Sequence, residues 1–122
     1  MSELKKIMVV EDNSDMQLML KDILSDAGFM IDLAKCGEEA ICLAERNKYD
    51  VVLLDKRLPD IDGFIVFNRI KQLDPKINVV ILTAYGDKFI EKSSKQMGAF
   101  GYKTKPFVNS ELIDIVQQAA NH

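Results

Sequence analysis

Four places along the sequence set a polar, chemically capable side chain just beyond a run of apolar residues. Glu11-Asp12 follows Ile7 to Val10, Asp55 follows Val51 to Leu54, Thr83 follows Val79 to Leu82, and Lys105-Pro106 comes shortly after Phe100 to Tyr102. Asp12 alone would read as a helix cap or a partner for a helix dipole. Asp55 is harder to dismiss, because it directly follows a buried stretch, where an unpaired charge is costly. If Glu11, Asp12 and Asp55 converge, each like-charged pair at ~4 Å and an effective dielectric of ~20 costs on the order of 4 kcal/mol before screening. The single amine of Lys105 cannot balance three carboxylates. A hard divalent cation with oxygen ligands can, and Mg²⁺ takes one or two carboxylates together with waters and phosphate oxygens. Such an ion would join Asp55 to an incoming phosphoryl group, leaving Lys105 and the Thr83 hydroxyl to bind the remaining oxygens while Asp55 acts as nucleophile. On this charge argument, Asp12→Asn should stabilise the metal-free fold while weakening Mg²⁺ binding.

The elements that must carry these groups are visible in the hydropathy pattern. Ile7 to Val10, Val51 to Leu54 and Val79 to Leu82 suit strands buried on both faces of a parallel sheet. Weaker strand signals lie at Phe29 to Ala34, after a Gly28 helix stop, and at Phe100 to Tyr102. Between the first two strands, Met16, Met19, Leu20, Ile23, Leu24 and Ala27 recur at helical spacing, and Ser14 with Gln17 resembles a capping box. Further helices are expected over Glu38 to Asn47, Gly63 to Leu73, Lys88 to Met97 and Ser110 to Ala120, the last capped by Asn109. Strand and helix thus alternate five times. That alternation predicts right-handed crossovers and a doubly wound α/β sandwich, with the functional crevice beyond the carboxyl ends of the strands. Glu11, Asp12, Asp55, Thr83 and Lys105 all fall there.

A chain of 122 residues is long enough for one sizeable core, so residues 1–122 are expected to form a single domain. Its 48% hydrophobic and 29% charged residues are those of a soluble globular protein, and its net charge of −3 gives no electrostatic reason to expect nucleic-acid binding. Cys36 and Cys42 lack metal-ligand or disulfide-framework spacing, which points to a reduced, cytoplasmic setting. The first apolar run is too short for a signal-peptide core or a membrane span.

In motif order and approximate spacing, the whole chain resembles the receiver domains of response regulators. The matching stretches are Val9 to Asn13, Val51 to Asp55, Leu58 to Gly63 (Leu-Pro-Asp-Ile-Asp-Gly), Leu82-Thr83-Ala84 and Lys105-Pro106-Phe107. The resemblance implies a flavodoxin-like (βα)5 fold with a five-stranded parallel sheet of order 2-1-3-4-5. It implies that Glu11 and Asp12 hold Mg²⁺, that the backbone carbonyl of Arg57 adds a ligand, and that Asp55 accepts a phosphoryl group. Lys105 would pair with that group, at a cis Lys105–Pro106 bond. Thr83 and Tyr102 match the family's switch pair, in which the hydroxyl moves toward the phosphoryl group and the ring fills the space it leaves. The plainer account of Tyr102 is an edge-strand aromatic covering the core. The surface of the fourth helix, fifth strand and fifth helix would change shape and meet a partner or a second copy, with Ile113 and Ile115 adding apolar area. Implied partners are a histidine kinase or phosphotransfer protein, and a downstream target or output domain. The chain ends soon after its fifth helix, so output is expected through another protein, unless the chain is one domain of a longer regulator.

Some residues depart from the commonest pattern: Lys56 and Arg57 set two long cations after Asp55, and Tyr85 lies two residues beyond Thr83. The bulk of Arg57 and Tyr85 is expected to slow hydrolysis of an acyl phosphate. An aspartate after a buried strand also describes haloacid dehalogenase-type phosphatases, but the second aspartate those need two residues on is here Arg57. Neither GxGxxG after the first strand nor GxxxxGK[ST] is present, which removes the common nucleotide-binding motifs. The remaining alternative is a receiver-like interaction module that works without phosphorylation, and the retained Asp55, Thr83 and Lys105 argue against it. His122, lone and terminal, reads as part of a tail.

Overall fold

The computed structural model describes residues 4–84 and 88–122. Five strands, β1 (Lys6–Val10), β2 (Met30–Ala34), β3 (Val51–Asp55), β4 (Asn78–Ala84) and β5 (Gly101–Lys105), alternate with five helices. The helices are α1 (Ser14–Asp26), α2 (Gly37–Arg46), α3 (Gly63–Leu73), α4 (Lys88–Met97) and α5 (Asn109–Ala120). All strand pairings are parallel, in the order β2-β1-β3-β4-β5. The fold is therefore the flavodoxin-like α/β sandwich expected from the sequence.

Alternate residues of the central strands feed two cores. Met8, Val10, Val52, Leu54, Val79 and Ile81 face α2, α3 and α4 through Ala40, Val66, Phe67, Ile70 and Ile90. Ile7, Val9, Val51, Leu53, Val80 and Leu82 face α1 and α5 through Leu20, Leu24, Leu112, Val116 and Ala119. Burial on both faces explains why these strands read as unbroken apolar runs. Edge strand β2 is less buried and carries the partly exposed Asp32, to which the Tyr49 hydroxyl donates at 2.7 Å and near which Lys6 Nζ lies at 3.4 Å. A charged group on an edge strand discourages pairing with another sheet. Among the described residues, no helix is long and apolar enough to cross a membrane.

Several local expectations change. β5 runs to Lys105 rather than ending at Tyr102, since Lys103, Thr104 and Lys105 pair with Leu82, Thr83 and Ala84. Its polar residues hid it, because an edge strand bonded on one side needs no apolar run. β2 starts at Met30, one residue later than expected. Asn13, not Ser14, caps α1, its side chain accepting from the Met16 N–H at 2.9 Å, while Gln17 donates to the Glu11 carbonyl instead of closing a capping box. Asn109 is the first helical residue of α5 and the cap position falls on Val108, with no side-chain bond. Ile113 and Ile115 are partly buried against the α1/α5 core, Ile115 lying over Gly101, so they add less open apolar surface than expected. The exposed apolar residue on α4 is Phe89.

α2 begins without a local cap, because Cys36 at its N-cap makes no side-chain bond. Asp60, from the loop between β3 and α3, supplies one across space: its Oδ1 accepts from the Gly37 N–H at 2.8 Å and its Oδ2 from the Glu38 N–H at 3.0 Å. Those bonds, Glu38 first and Gly37 next, hold the Asp60 carboxyl below its ordinary range.

Gly63 starts α3 tight against the end of β3. Its N–H donates to the Lys56 carbonyl at 3.1 Å, and a Cβ there would meet the Lys56 carbonyl oxygen at 2.7 Å and the Asp55 carbonyl oxygen at 2.9 Å. Backbone cannot yield as a side chain can. Gly63→Ala is therefore expected to cost about 1–3 kcal/mol, the usual range for overpacking, read as a lower urea midpoint with an unchanged slope.

Candidate functional site

The strand order reverses at β1: the connection through α1 leads outward to β2, and the one through α2 leads back across to β3. A crevice opens beyond the strand ends at such a reversal. Glu11 and Asp12 follow β1 directly and Asp55 is the last residue of β3, so the topology brings all three carboxylates to one place. One ligand oxygen from each lies within 4.8 Å of the others. Glu11 and Asp55 are buried, at 2% and 6% exposure, whereas Asp12 faces solvent.

From β5, Lys105 reaches both buried acids, with its Nζ 2.7 Å from Asp55 Oδ2 and 3.0 Å from Glu11 Oε2. The other Asp55 oxygen, Oδ1, accepts the Arg57 N–H at 3.0 Å. Both oxygens of the buried aspartate are thus oriented, one by an ammonium and one by backbone. The Lys105–Pro106 bond is cis, as the resemblance implied. These groups, with Thr83 and Ile90, line a cleft of about 430 Å³, room for a hydrated ion beside a phosphoryl group.

The electrostatics follow from this packing. Burial raises the Glu11 carboxyl to about 7, reinforced by a hydrogen bond and charge repulsion from Asp55 and only partly relieved by Lys105. Burial works the other way on Lys105, but its bonds and attraction to Asp55, then to Glu11, outweigh it and leave that ammonium above its ordinary range. The crowding expected of three carboxylates is therefore felt at buried Glu11. In the metal-free protein, a proton on Glu11 and the charge of Lys105 offset it.

Hard oxygen donors dominate the site, and they carry more negative charge than one ammonium neutralises. That donor set fits a hard divalent cation better than a soft or nitrogen-preferring one. Glu11, Asp12 and Asp55 stand close enough to share one ion directly or through its waters.

Thr83, buried near the end of β4, and Tyr102 on β5 lie on one face of the sheet, since Tyr102 stands opposite Ile81 and Thr83 opposite Thr104. The Tyr102 ring packs against the α2/α3/α4 core with Lys95 Nζ 5.7 Å above it. Tyr102 therefore does cover the core, on the face of the sheet that also carries Thr83. Arg57 is exposed and lines the cleft. Lys56 also lines the cleft, as expected, with its ammonium paired to Asp62 and 4.8 Å over the Phe64 ring. Tyr85 lies outside the described residues. Sequence reasoning did not find the long-range cap from Asp60, because a contact across 22 residues leaves no local spacing to read.

The sequence profile of the response regulator receiver domain matches residues 7–117. The chain is 32% identical over 114 residues to sporulation initiation phosphotransferase F of Bacillus subtilis, covering 93% of this chain and 92% of that protein. It is 34% identical over 116 residues to the DNA-binding transcriptional regulator NtrC of Salmonella typhimurium, covering 95% of this chain and only 25% of NtrC. Among solved structures, it is similar to the receiver domain of the sensor histidine kinase PA1611 from Pseudomonas aeruginosa, which has a magnesium ion coordinated in its active-site cleft. That match has a TM-score of 0.89 at 30% identity and covers 98% of this chain and all of the other.

A carboxyl whose ionisation is pushed upward by folding favours the folded state while protonated. From this group alone, metal-free stability should be greatest below pH 4.5 and fall as pH rises through about 7. Glu11→Gln should remove that decline and gain more metal-free stability at pH 8 than Asp12→Asn does. Urea denaturation in chelator at pH 4.5, 7 and 8 reads both effects; a parent and Glu11→Gln variant with parallel pH profiles would contradict the assignment.

Proposed function

This chain belongs to the response regulator receiver domain family, and from that we propose that it is a phosphoacceptor switching on modification of Asp55. The observation that carries the reading is the Lys105 ammonium, held at 2.7 Å from one buried aspartate and 3.0 Å from a buried glutamate, with a third carboxylate beside them. Such a cluster is expensive for the fold and suits a site where a divalent cation and the Lys105 ammonium together receive a phosphoryl group. We read residues 1–122 as one receiver domain.

Glu11, Asp12, Asp55 and the backbone carbonyl of Arg57 would hold Mg²⁺; when bound, it supplies positive charge to the oxygens of the transferring phosphoryl group. A magnesium-bearing relative with 30% identity supports that choice of ion. The Asp55 carboxylate attacks phosphorus in a phosphohistidine of a histidine kinase or phosphotransfer protein. A P–O bond forms, the P–N bond breaks, and the departing imidazole nitrogen keeps the electron pair and takes a proton. Lys105 gives up its bond to Asp55 Oδ2 and follows the charge onto a phosphoryl oxygen. The Arg57 N–H keeps the carboxyl group aimed throughout. Later attack by water on the acyl phosphate would return the free carboxylate, and the bulk of Arg57 would slow that access.

Thr83 would then donate its hydroxyl to the phosphoryl group, and Tyr102 would turn inward behind it, altering the face of α4, β5 and α5 that meets a target, an output domain or a second copy. A cytoplasmic location, shared with the phosphodonors, belongs to the same reading.

Incubation with acetyl phosphate and Mg²⁺ should add one phosphoryl group to the intact mass of the parent and none to Asp55→Asn. Lys105→Ala should keep Asp55 available but slow the gain by about a hundredfold, as for loss of one strong oxyanion partner. Equal labelling of Asp55→Asn would move the acceptor elsewhere, and an unlabelled parent would leave the interaction-module alternative in its place.

A further inference from the structure

The loop from Lys56 to Asp62 carries the two backbone groups on which the cleft depends, the Arg57 N–H that orients Asp55 and the Arg57 carbonyl assigned to the ion. Its ends are fixed. The Lys56 N–H donates to the Leu82 carbonyl of β4 at 3.0 Å, and the Lys56 carbonyl accepts from Gly63. Between them Leu58 and Ile61 give partial apolar contacts to the core. The middle of the loop has one strong polar anchor, and it runs to another element: Asp60 spans Gly37 and Glu38 at the start of α2, while its Oδ1 also accepts from its neighbour Ile61 at 2.9 Å.

Two independent features mark this junction as built. First, Cys36 leaves the α2 N-terminus without a cap of its own, so the Gly37 and Glu38 N–H groups depend on Asp60. Second, Gly37 admits the loop at close range, since a Cβ there would meet Val66 Cγ2 at 2.7 Å, Ile61 Cβ at 3.1 Å and Asp60 Oδ1 at 3.3 Å. We propose that Asp60 is a positioning residue of the phosphoacceptor cleft, splicing the Arg57 loop to the N-terminus of α2 so that loop and helix hold or shift together.

The splice has a direction of use. A helix N-terminus favours a carboxylate, so the Asp60 contact is strong while the loop is in place and is released only if loop and helix part. Anything that pulls on α2 therefore reaches Arg57, and through it the Asp55 carboxyl. The consequence for the ion rests on the phosphoacceptor reading; the mechanical link between Asp60 and Arg57 does not.

Asp60→Ala removes both acceptors, Asp60→Asn keeps one, and Gly37→Ala forces the same junction apart from the helix side. Val116→Ala, on α5 across the sheet, lowers stability without touching the loop. Amide hydrogen exchange in the metal-free proteins reads the link, and calorimetric Mg²⁺ titration reads its effect on the ion. We expect Asp60→Ala to speed exchange at Arg57 as well as at Gly37 and Glu38, and to weaken Mg²⁺ binding about tenfold, the low end for residues that support metal ligands. Asp60→Asn should fall between it and the parent, Gly37→Ala should resemble Asp60→Ala, and Val116→Ala should match the parent in affinity. Faster exchange confined to Gly37 and Glu38 would reduce Asp60 to a helix cap and overturn the proposal, as would equal loss of affinity in Val116→Ala. If the parent binds no Mg²⁺, the phosphoacceptor reading fails, while unchanged exchange at Arg57 in Asp60→Ala still rejects the splice on its own.

Discussion

The structure turns on a charge imbalance that the fold creates and does not fully cancel. A parallel sheet delivers Glu11, Asp12 and Asp55 to one rim, where Lys105 from β5 bonds to Glu11 and Asp55. The price is visible in Glu11, whose carboxyl is driven to about 7 by burial and by its neighbour. A site of this kind, with more carboxylate than ammonium, resembles a site for a hard divalent cation.

Everything around the cleft limits how that imbalance can relax. β1 and β3 are packed on both faces, so their carboxyl ends cannot splay to separate the acids. Gly63 presses the start of α3 against the Asp55 and Lys56 backbone, and the Arg57 N–H fixes one Asp55 oxygen. Lys105 is the exception. It sits at the end of an edge strand, bonded on one side only, and its long side chain can follow charge without disturbing the central sheet.

The sequence made the central strands and the acidic pair legible because burial on two faces leaves continuous apolar runs, and the groups that end them stand out. Five motifs in order then resembled one family, and the profile match over residues 7–117 agrees. Less was legible where structure depends on partners distant in the chain. β5 looked three residues long because Lys103, Thr104 and Lys105 are polar, yet backbone pairing with β4 makes them strand. Asn13 displaced Ser14 as a cap because both residue types suit that role and only backbone geometry chooses between them. Lys56 was legible as a cation beside Asp55, but its pairing with Asp62 and Phe64 was not, because charge counting along the chain cannot see such a contact.

The same geometry explains how an event at one rim can be felt along an edge. Lys105, Thr104 and Tyr102 belong to one short strand, and Thr83 is paired to Thr104 across the ladder. On the proposed phosphoacceptor reading, a dianion at Asp55 would compete for Lys105 and offer the Thr83 hydroxyl a strong acceptor, biasing the end of β4 and β5 together. The central strands are locked between two cores and cannot answer. In that reading the response would fall to the edge strand, to Tyr102 with Lys95 over its ring, and to α4 with its exposed Phe89, because the closely packed middle of the sheet has little room to shift.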